Sequence, residues 1–288
     1  MTTLARILGS AASAWLAAVP LAHATDNPRW SQPQQPFRIY GNTWYVGSLG
    51  LSAILVTSPQ GHVLIDGTLP GNAGMIEANI RALGFKLRDI RVILNTHAHV
   101  DHAGAIAKLA KDSGAQVRAS TASARQLEKG GVAADDPQYS AAARYPLVPD
   151  VQVVRDGGTV QVGTLRLTAH YTPGHTPGST SWTWRSCERQ RCLDIAYVDS
   201  LTALGRPGYR FSAHPRYVAN FRHGLATAAA LPCDILLTPH PEASGLADVV
   251  DAHGANDEAL IDAGACRRYA AKGEAGLDAQ LAKEHAAR

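Results

Sequence analysis

The 288-residue sequence has no block of lysine and arginine, although its formal net charge is +3. A domain that binds nucleic acid usually concentrates basic residues in one run or on one face. The sequence also lacks a stretch rich in glycine, serine or proline that would mark a linker, and it has no short-period repeat. These absences argue against a nucleic-acid partner and predict one domain with a surface of mixed charge.

Long apolar runs are missing after residue 24. The first 24 residues, MTTLARILGSAASAWLAAVPLAHA, hold one arginine, no acidic residue and a small-x-small ending. This pattern is typical of a secretory signal peptide that is cleaved near Ala24. Serine and proline interrupt the apolar run, so a permanent transmembrane helix is not favoured. We therefore expect residues 25–288 to be a soluble single-domain protein that is exported, into a bacterial periplasm.

Cysteine is scarce, with four residues in the whole sequence. An even number in an exported protein favours disulfide bonds. We predict the pair Cys187–Cys192, which would close a short hairpin, and the pair Cys233–Cys266, which would join a strand start to a late helix. The other two pairings remain possible. A zinc–thiolate site is not favoured, because the Cys-x4-Cys spacing has no matching second pair.

Apolar patterns predict strands and helices in both halves of the chain. The predicted strands are 37–47, 51–57, 62–67, 89–96, 116–120, segments within 151–172, 179–184, 193–200 and 233–241. The predicted helices are 71–84, 103–114, 121–131, 216–231 and a tail that begins at Asp257. Residues 133–147 have no period and are predicted to form a loop. Each half has strands first and strand–helix alternation later, which predicts an α/β fold of four layers, an αββα sandwich.

The stretch Asn95–Gly104, NTHAHVDHAG, concentrates imidazoles directly after a buried apolar strand. Residues two apart in an extended chain point the same way, so His97 and His99 can converge on one point. Asp101 and His102, at the turn into the next helix, can reach a second point nearby. Imidazole nitrogen and carboxylate oxygen are ligand types that Zn²⁺ accepts. Two metal ions about 3.5–4 Å apart would suit a hydrolytic reaction.

Two further ligands are needed if each metal ion is to have three. His175 lies in the turn TPGHTPGST, and His240 ends the apolar run in LLTPHPE. Both are expected in loops that emerge from a sheet, where functional residues are common. The remaining histidines after the signal segment are interpreted as structural or surface residues: His62, His170, His214, His223, His253 and His285.

The set of six residues resembles the metallo-β-lactamase superfamily, and the resemblance covers nearly the whole chain after the signal segment. In particular, the chain resembles the subclass B3 metallo-β-lactamases in four segments: HAHVDHAG, TPGHTPGSTSWTW, YVDSLTALGRPGYRF and LPCDILLTPHP. The resemblance implies one zinc ion on His97, His99 and His175 and a second on Asp101, His102 and His240. It also implies that Ser200 replaces a zinc-binding cysteine of other subclasses. The pair Cys233–Cys266 fits the subclass, whereas Cys187–Cys192 occurs only in some members.

The activity implied is zinc-dependent hydrolysis of the β-lactam amide bond of penicillins, cephalosporins and carbapenems, by hydroxide that the metal ions generate. Ser200 and Thr202 would bind the carboxylate of this small-molecule substrate. Asp101 would both bind metal and orient the attacking group. Asp66 is expected either to accept a hydrogen bond from a ligand histidine or to cap local backbone. No covalent intermediate is required, in keeping with the absence of a Gly-x-Ser-x-Gly motif. We expect a monomer.

The main alternative is an exported lactonase or thioester hydrolase on the same fold. Such enzymes often carry an aspartate that bridges both metal ions, in a segment like Gly-Asp-Thr-Leu. The corresponding residue here is Asp199, in Val198–Leu201. The sequence around Asp199, with Ser-Leu-Thr-Ala after it and TPHP further on, favours the lactamase. A protein that only stores zinc is a third alternative, which zinc content without turnover of any ester, thioester or lactam would favour.

Overall fold

The computed structural model describes residues 27–251 and 257–286. The predicted signal peptide and His253 lie outside the described residues. Among the helices of the part described, none is long and apolar enough to cross a lipid bilayer.

The first sheet contains seven strands that lie side by side in chain order. They are β1 (Phe37–Tyr40), β2 (Thr43–Tyr45), β3 (Ile54–Val56), β4 (His62–Ile65), β5 (Ile90–Leu94), β6 (Gln116–Ala119) and β7 (Gln152–Val153). Pairing is antiparallel from β1 to β4 and parallel from β4 to β7. Ile65 of β4 pairs with Leu94 of β5. The carboxyl ends of these two parallel strands therefore lie together, and the chain that follows β5 begins at this edge.

The second sheet contains five strands in the order β12-β11-β10-β9-β8. They are β8 (Thr159–Val162), β9 (Leu165–Tyr171), β10 (Thr180–Glu188), β11 (Arg191–Tyr197) and β12 (Ile235–Leu237). Only β11 and β12 pair in parallel among these described strands, with Tyr197 opposite Leu237. Their carboxyl ends deliver the segments 198–207 and 238–241 to one edge of the sheet.

Helices cover the outer faces of the two sheets. They are α1 (Ala73–Ala82), α2 (Val100–Ala103), α3 (Ile106–Ser113), α4 (Thr121–Leu127), α5 (Pro215–Ala229), α6 (Leu246–Asp251) and α7 (Ala265–Ala286). One apolar cluster joins α1, α3 and α4 to the first sheet, and another joins α5 and α7 to the second. The amphipathic spacing that predicted these helices thus corresponds to the faces that they bury.

A third apolar cluster fills the space between the two sheets. Ile65 and Leu94 of the first sheet and Trp182 and Ile195 of the second are fully buried in it. The predicted αββα sandwich of four layers is therefore confirmed. The Trp182 indole N–H donates to the backbone oxygen of Asn95 at 3.1 Å, so the second sheet also fixes the start of the histidine-rich loop.

All four cysteines form disulfide bonds, and both predicted pairs are confirmed. Cys187 and Cys192 lie opposite each other at the end of the β10–β11 hairpin. The bond Cys233–Cys266 ties the segment that leads into β12 to the first turn of α7. The sequence separations are 5 and 33 residues.

The predicted start of the C-terminal helix, at Asp257, was wrong. Asp257–Leu260 is a short 3-10 helix, and α7 starts only at Ala265. Between them, Ile261 forms an isolated β-bridge with Ile235, and the backbone N–H of Asp262 donates to the backbone oxygen of Asp234 at 2.7 Å. These bonds hold the chain extended, so a continuous helix from Asp257 cannot form.

Candidate metal centre

The six residues predicted as ligands meet at one edge of the sandwich in two groups of three. Strand β5 positions the loop that carries His97 and His99, and helix α2 carries Asp101 and His102. His175 lies in the turn after β9, and His240 follows β12. The ends of strands from both sheets thus position these side chains, which lie in the loops and the short helix that follow.

The first group is His97, His99 and His175. One potential ligand atom of each lies within 4.8 Å of the others. The ring centroids of His97 and His99 are 4.7 Å apart, and those of His97 and His175 are 4.8 Å apart. Three imidazoles that converge in this way match the donor set of a zinc site with an open position.

The second group is Asp101, His102 and His240, again with one ligand atom of each within 4.8 Å of the others. Asp101 Oδ2 lies 3.2 Å from His102 Nε2 and 3.4 Å from His240 Nε2. The rings of His97 and His102 have centroids 4.4 Å apart, so the two groups are adjacent. The arrangement therefore offers two neighbouring positions for metal ions.

Buried nitrogen atoms without partners show that these residues fit metal ions. Within the described residues, His97 Nε2 and His102 Nδ1 are buried and make no hydrogen bond, and His102 Nε2 has only its 3.2 Å contact with Asp101. Such atoms are rare in folded proteins, because an unpaired buried polar atom costs free energy. A bound cation would satisfy them.

The electrostatics of the groups agree with this fit. Burial lowers the pKa of His97 and of His175 well below the usual value, and it also lowers the pKa of His102. Burial would raise the pKa of Asp101, but the neighbouring His102 and His240 hold it well below its ordinary range. Neutral imidazoles and an ionised carboxylate are the protonation states that bind metal.

Asp199 supports His97 from the side opposite the group. Its Oδ1 lies 2.7 Å from His97 Nδ1, and both side chains are fully buried. This contact selects the tautomer with the proton on Nδ1 and leaves Nε2 as the ligand atom. Asp199 belongs to neither group of ligand atoms in the described chain. The geometry thus favours a supporting role over the hypothesis that Asp199 bridges two metal ions.

Asp136 supports His99 and was missed by sequence reasoning. Its Oδ2 lies 2.8 Å from His99 Nε2, and its side chain is 1% exposed. Burial alone would lower the pKa of His99, but the hydrogen bond and charge of Asp136 raise it. Asp136 lies in the segment 133–147, which has no period. The only signal there is an Asp-Asp-Pro turn, which is common in loops without function.

Thr202 and Gln138 contact His175. Thr202 Oγ1 lies 2.8 Å from His175 Nδ1, and Gln138 Nε2 lies 3.2 Å from His175 Nε2. The two expected substrate residues, Ser200 and Thr202, both line the cleft over the groups. Ser200 is buried and Thr202 is exposed. Thr202 is therefore placed to contact a ligand in the cleft and a histidine beneath it.

Asp66 does not contact a ligand histidine. It accepts hydrogen bonds from the Thr96 backbone N–H at 2.8 Å, from Thr96 Oγ1 at 2.7 Å, from Asn95 Nδ2 at 3.1 Å and from the Tyr197 hydroxyl at 3.2 Å. Burial raises its pKa to about 8. The expectation that Asp66 accepts a hydrogen bond from a ligand histidine was therefore wrong. Its side chain instead caps the backbone at Asn95 and Thr96, where the chain leaves β5.

A cleft of about 750 Å³ lies over both groups. Trp30, from the segment before β1, forms part of its wall and has its ring centroid 5.3 Å from that of His240. The wall also includes apolar and aromatic residues from the loops after α4 and β11: Tyr139, Ala143, Leu204 and Pro207. A cleft of this size, with a few polar groups at its base, suits a small molecule.

The αββα fold with two adjacent ligand groups at the sheet edge defines a class of proteins whose site could hold two metal ions. Residues 47–188 match the metallo-beta-lactamase superfamily. The chain is 51% identical to Rm3 metallo-beta-lactamase, with a TM-score of 0.86 over 89% of this chain and 97% of that one. It is 45% identical to MEM-A1, a subclass B3 metallo-beta-lactamase isolated from a soil metagenome library, with a TM-score of 0.86 over 90% of this chain and 100% of that one. The chain therefore belongs to the metallo-beta-lactamase superfamily.

One curated relative is named as an enzyme other than a metallo-beta-lactamase. The hydroxyacylglutathione hydrolase of Anaeromyxobacter dehalogenans (strain 2CP-C) is 40% identical over 94 residues, which are 33% of this chain and 29% of that protein. The chain thus spans less than a third of the length of this curated relative.

Proposed function

We propose that the protein is a zinc-dependent β-lactamase that hydrolyses the amide bond of penicillins, cephalosporins and carbapenems. The observation that carries the proposal is the position of the two ligand groups, side by side at the base of one cleft. The similarity to subclass B3 metallo-beta-lactamases over almost their whole length supports the same substrate class.

His97, His99 and His175 would hold one zinc ion, and Asp101, His102 and His240 would hold the other. When bound, zinc lowers the pKa of a coordinated water to about 7 and polarises a carbonyl group. The chain's own residues keep the donors in place: Asp199 fixes His97, Asp136 fixes His99, and Thr202 fixes His175.

Hydrolysis adds one water molecule across the lactam bond. The oxygen joins the acyl carbon, the C–N bond breaks, and a proton is transferred to the nitrogen. Asp101, which is ionised between His102 and His240, can accept a hydrogen bond from the attacking water and orient it toward the substrate. The hydroxyl groups of Ser200 and Thr202 can donate to the substrate carboxylate, which fixes the lactam ring over the groups.

The test uses residues 25–288 loaded with zinc. Hydrolysis of one penicillin, one cephalosporin and one carbapenem is followed with and without a chelator, beside the variant Asp101→Asn. We expect ring opening that the chelator abolishes and that the variant reduces by about 100-fold or more, because a positioned acid–base group contributes about 10²–10⁴-fold. Full activity of the metal-free protein would refute the proposal.

The second candidate is a thioester hydrolase, which the partial match to a hydroxyacylglutathione hydrolase favours. Hydroxyacylglutathione belongs in the same assay. Turnover of this thioester without turnover of any lactam, in a protein that holds two zinc ions, would establish the alternative.

The location of the protein is also a proposal. We infer that residues 1–24 are a signal peptide, that 25–288 form one domain, and that the mature protein acts as a periplasmic monomer on small molecules. The two disulfide bonds support an oxidising compartment. Mass spectrometry of the protein from a periplasmic fraction should find the N-terminus at Thr25 and no peptide from residues 1–24, whereas an intact N-terminus at Met1 would contradict cleavage.

A further inference from the structure

Arg206 joins two loops that line the cleft. Its Nη1 donates to the backbone oxygen of Asp136 at 2.7 Å, and its backbone N–H donates to that of Pro137 at 2.8 Å. Arg206 follows Ser200 and Thr202 in the loop after β11, whereas Asp136 belongs to the loop after α4. One residue thus fixes two consecutive carbonyl groups of the other loop.

The guanidinium group of Arg206 is anchored on the second half of the molecule. Its Cζ lies 5.4 Å from the centroid of the Tyr209 ring, within the range of a cation–π contact. Tyr209 stacks on His214, with centroids 4.8 Å apart and an interplanar angle of 11°, and its centroid is 5.1 Å from that of the buried Phe211. Phe211 belongs to the apolar cluster beneath α5 and α7. Arg206 is therefore held by a rigid part of the fold.

The loop that Arg206 fixes carries the residue that supports His99 and a residue that contacts His175. Asp136 binds His99, and Gln138, two residues later, contacts His175. A shift of the backbone at Asp136 would move its carboxylate away from His99 Nε2. The position of the three-histidine group therefore depends on a contact that lies outside it.

We propose that Arg206 is a positioning residue, which holds Asp136 against His99 and thereby sets the metal affinity of the group formed by His97, His99 and His175. It also holds the loop after α4 and the loop after β11 in the positions in which they line the cleft and contact the substrate. The second statement rests on the proposed function, whereas the first does not, because metal binding can be measured without any substrate.

The test measures zinc affinity by competition with a chromophoric chelator in Arg206→Ala and Arg206→Lys. Residues that orient a ligand usually change metal affinity by about 10–100-fold. We expect Arg206→Ala to weaken one of the two bound zinc ions by about 10-fold, and Arg206→Lys to restore part of the loss, since an ammonium group can still donate to the backbone oxygen of Asp136. The matched control is Arg144→Ala, which changes an arginine of the same loop and should bind zinc as the unmodified protein does.

A double variant separates positioning from a general loss of structure. If Arg206 acts through Asp136, then Arg206→Ala should change zinc affinity less than about 2-fold when Asp136 is already alanine, because interacting residues are not additive. Independent, multiplying effects of the two changes would overturn the proposal. Unchanged zinc affinity in Arg206→Ala would also overturn it, and a raised KM with normal zinc binding would instead assign Arg206 to direct substrate contact. The outcomes for zinc affinity do not depend on whether lactams are the substrates, whereas the KM outcome does.

Discussion

Replacing Asp199 with alanine should weaken metal binding at the three-histidine group and leave the group of Asp101, His102 and His240 intact. Asp199 Oδ1 is 2.7 Å from His97 Nδ1, and both side chains are fully buried. The alanine variant leaves a buried N–H without an acceptor. The cost is about 1–3 kcal/mol, which corresponds to roughly a 5- to 150-fold loss of affinity, since 1.4 kcal/mol is about tenfold.

The measurement is a zinc titration against a competing chelator. It is made in a His240→Ala background, in which only the three-histidine group remains complete, so the affinity that is measured belongs to that group. Asp199→Asn should lose less than Asp199→Ala, because its amide oxygen can still accept from Nδ1. Asp194→Ala, in strand β11 before Asp199, serves as the control and should leave the affinity unchanged.

The competing hypothesis makes the opposite prediction. An aspartate that bridges both metal ions would be needed by the second group as much as by the first. If Asp199→Ala, made in the protein that keeps all six ligands, weakens the binding of both ions to a similar extent, the supporting role of Asp199 is wrong. The thioesterase alternative would then gain weight.

Three further predictions concern stability. Glu284 accepts from the backbone N–H groups of Phe211 at 3.0 Å and Ser212 at 2.7 Å; burial alone would raise its pKa, but the hydrogen bonds to Ser212 lower it to about 2. Glu284→Gln should therefore lower the free energy of unfolding by about 1–3 kcal/mol at pH 7, and the difference, measured by urea denaturation, should disappear as the pH falls from about 4.5 toward 2. Removal of Cys233–Cys266 should cost about 4 kcal/mol and removal of Cys187–Cys192 about 2, because the longer loop loses more entropy; equal losses in the same assay would contradict this. Zinc at about 100 times its dissociation constant should stabilise the protein by about 2.7 kcal/mol, which calorimetry with and without a chelator would detect as a shift in Tm.

The metal ligands were predictable because their pattern is local. His97 and His99 lie two residues apart in one extended loop, and Asp101 and His102 lie in the helix that follows. The six residues from His97 to His102 therefore contain four of the six ligands. His175 and His240 became predictable once the cluster had been recognised, since each follows an apolar strand. The four layers of the fold were predictable for the same reason: the period of the apolar residues is a local property.

The role of Asp66 was wrong because it depends on sheet register. Ile65 pairs with Leu94, so Asp66 lies beside Asn95 and Thr96 rather than beside His97. The sequence shows that β4 and β5 are strands, but it does not show which residues of the two strands face each other.

The supports of the histidines are harder to predict than the histidines themselves. Asp199 and Asp136 are 102 and 37 residues away in sequence from the rings that they contact. The metal ligands can be recognised in the sequence by their residue types and their spacing. A carboxylate that supports a histidine needs only to lie beside its ring in the folded protein, and it can come from any part of the chain. Asp136 does so from a loop without a period, and that loop is positioned by a contact from Arg206 in the other half of the molecule. The donor set of this centre is thus encoded locally, while its rigidity is a property of the tertiary structure.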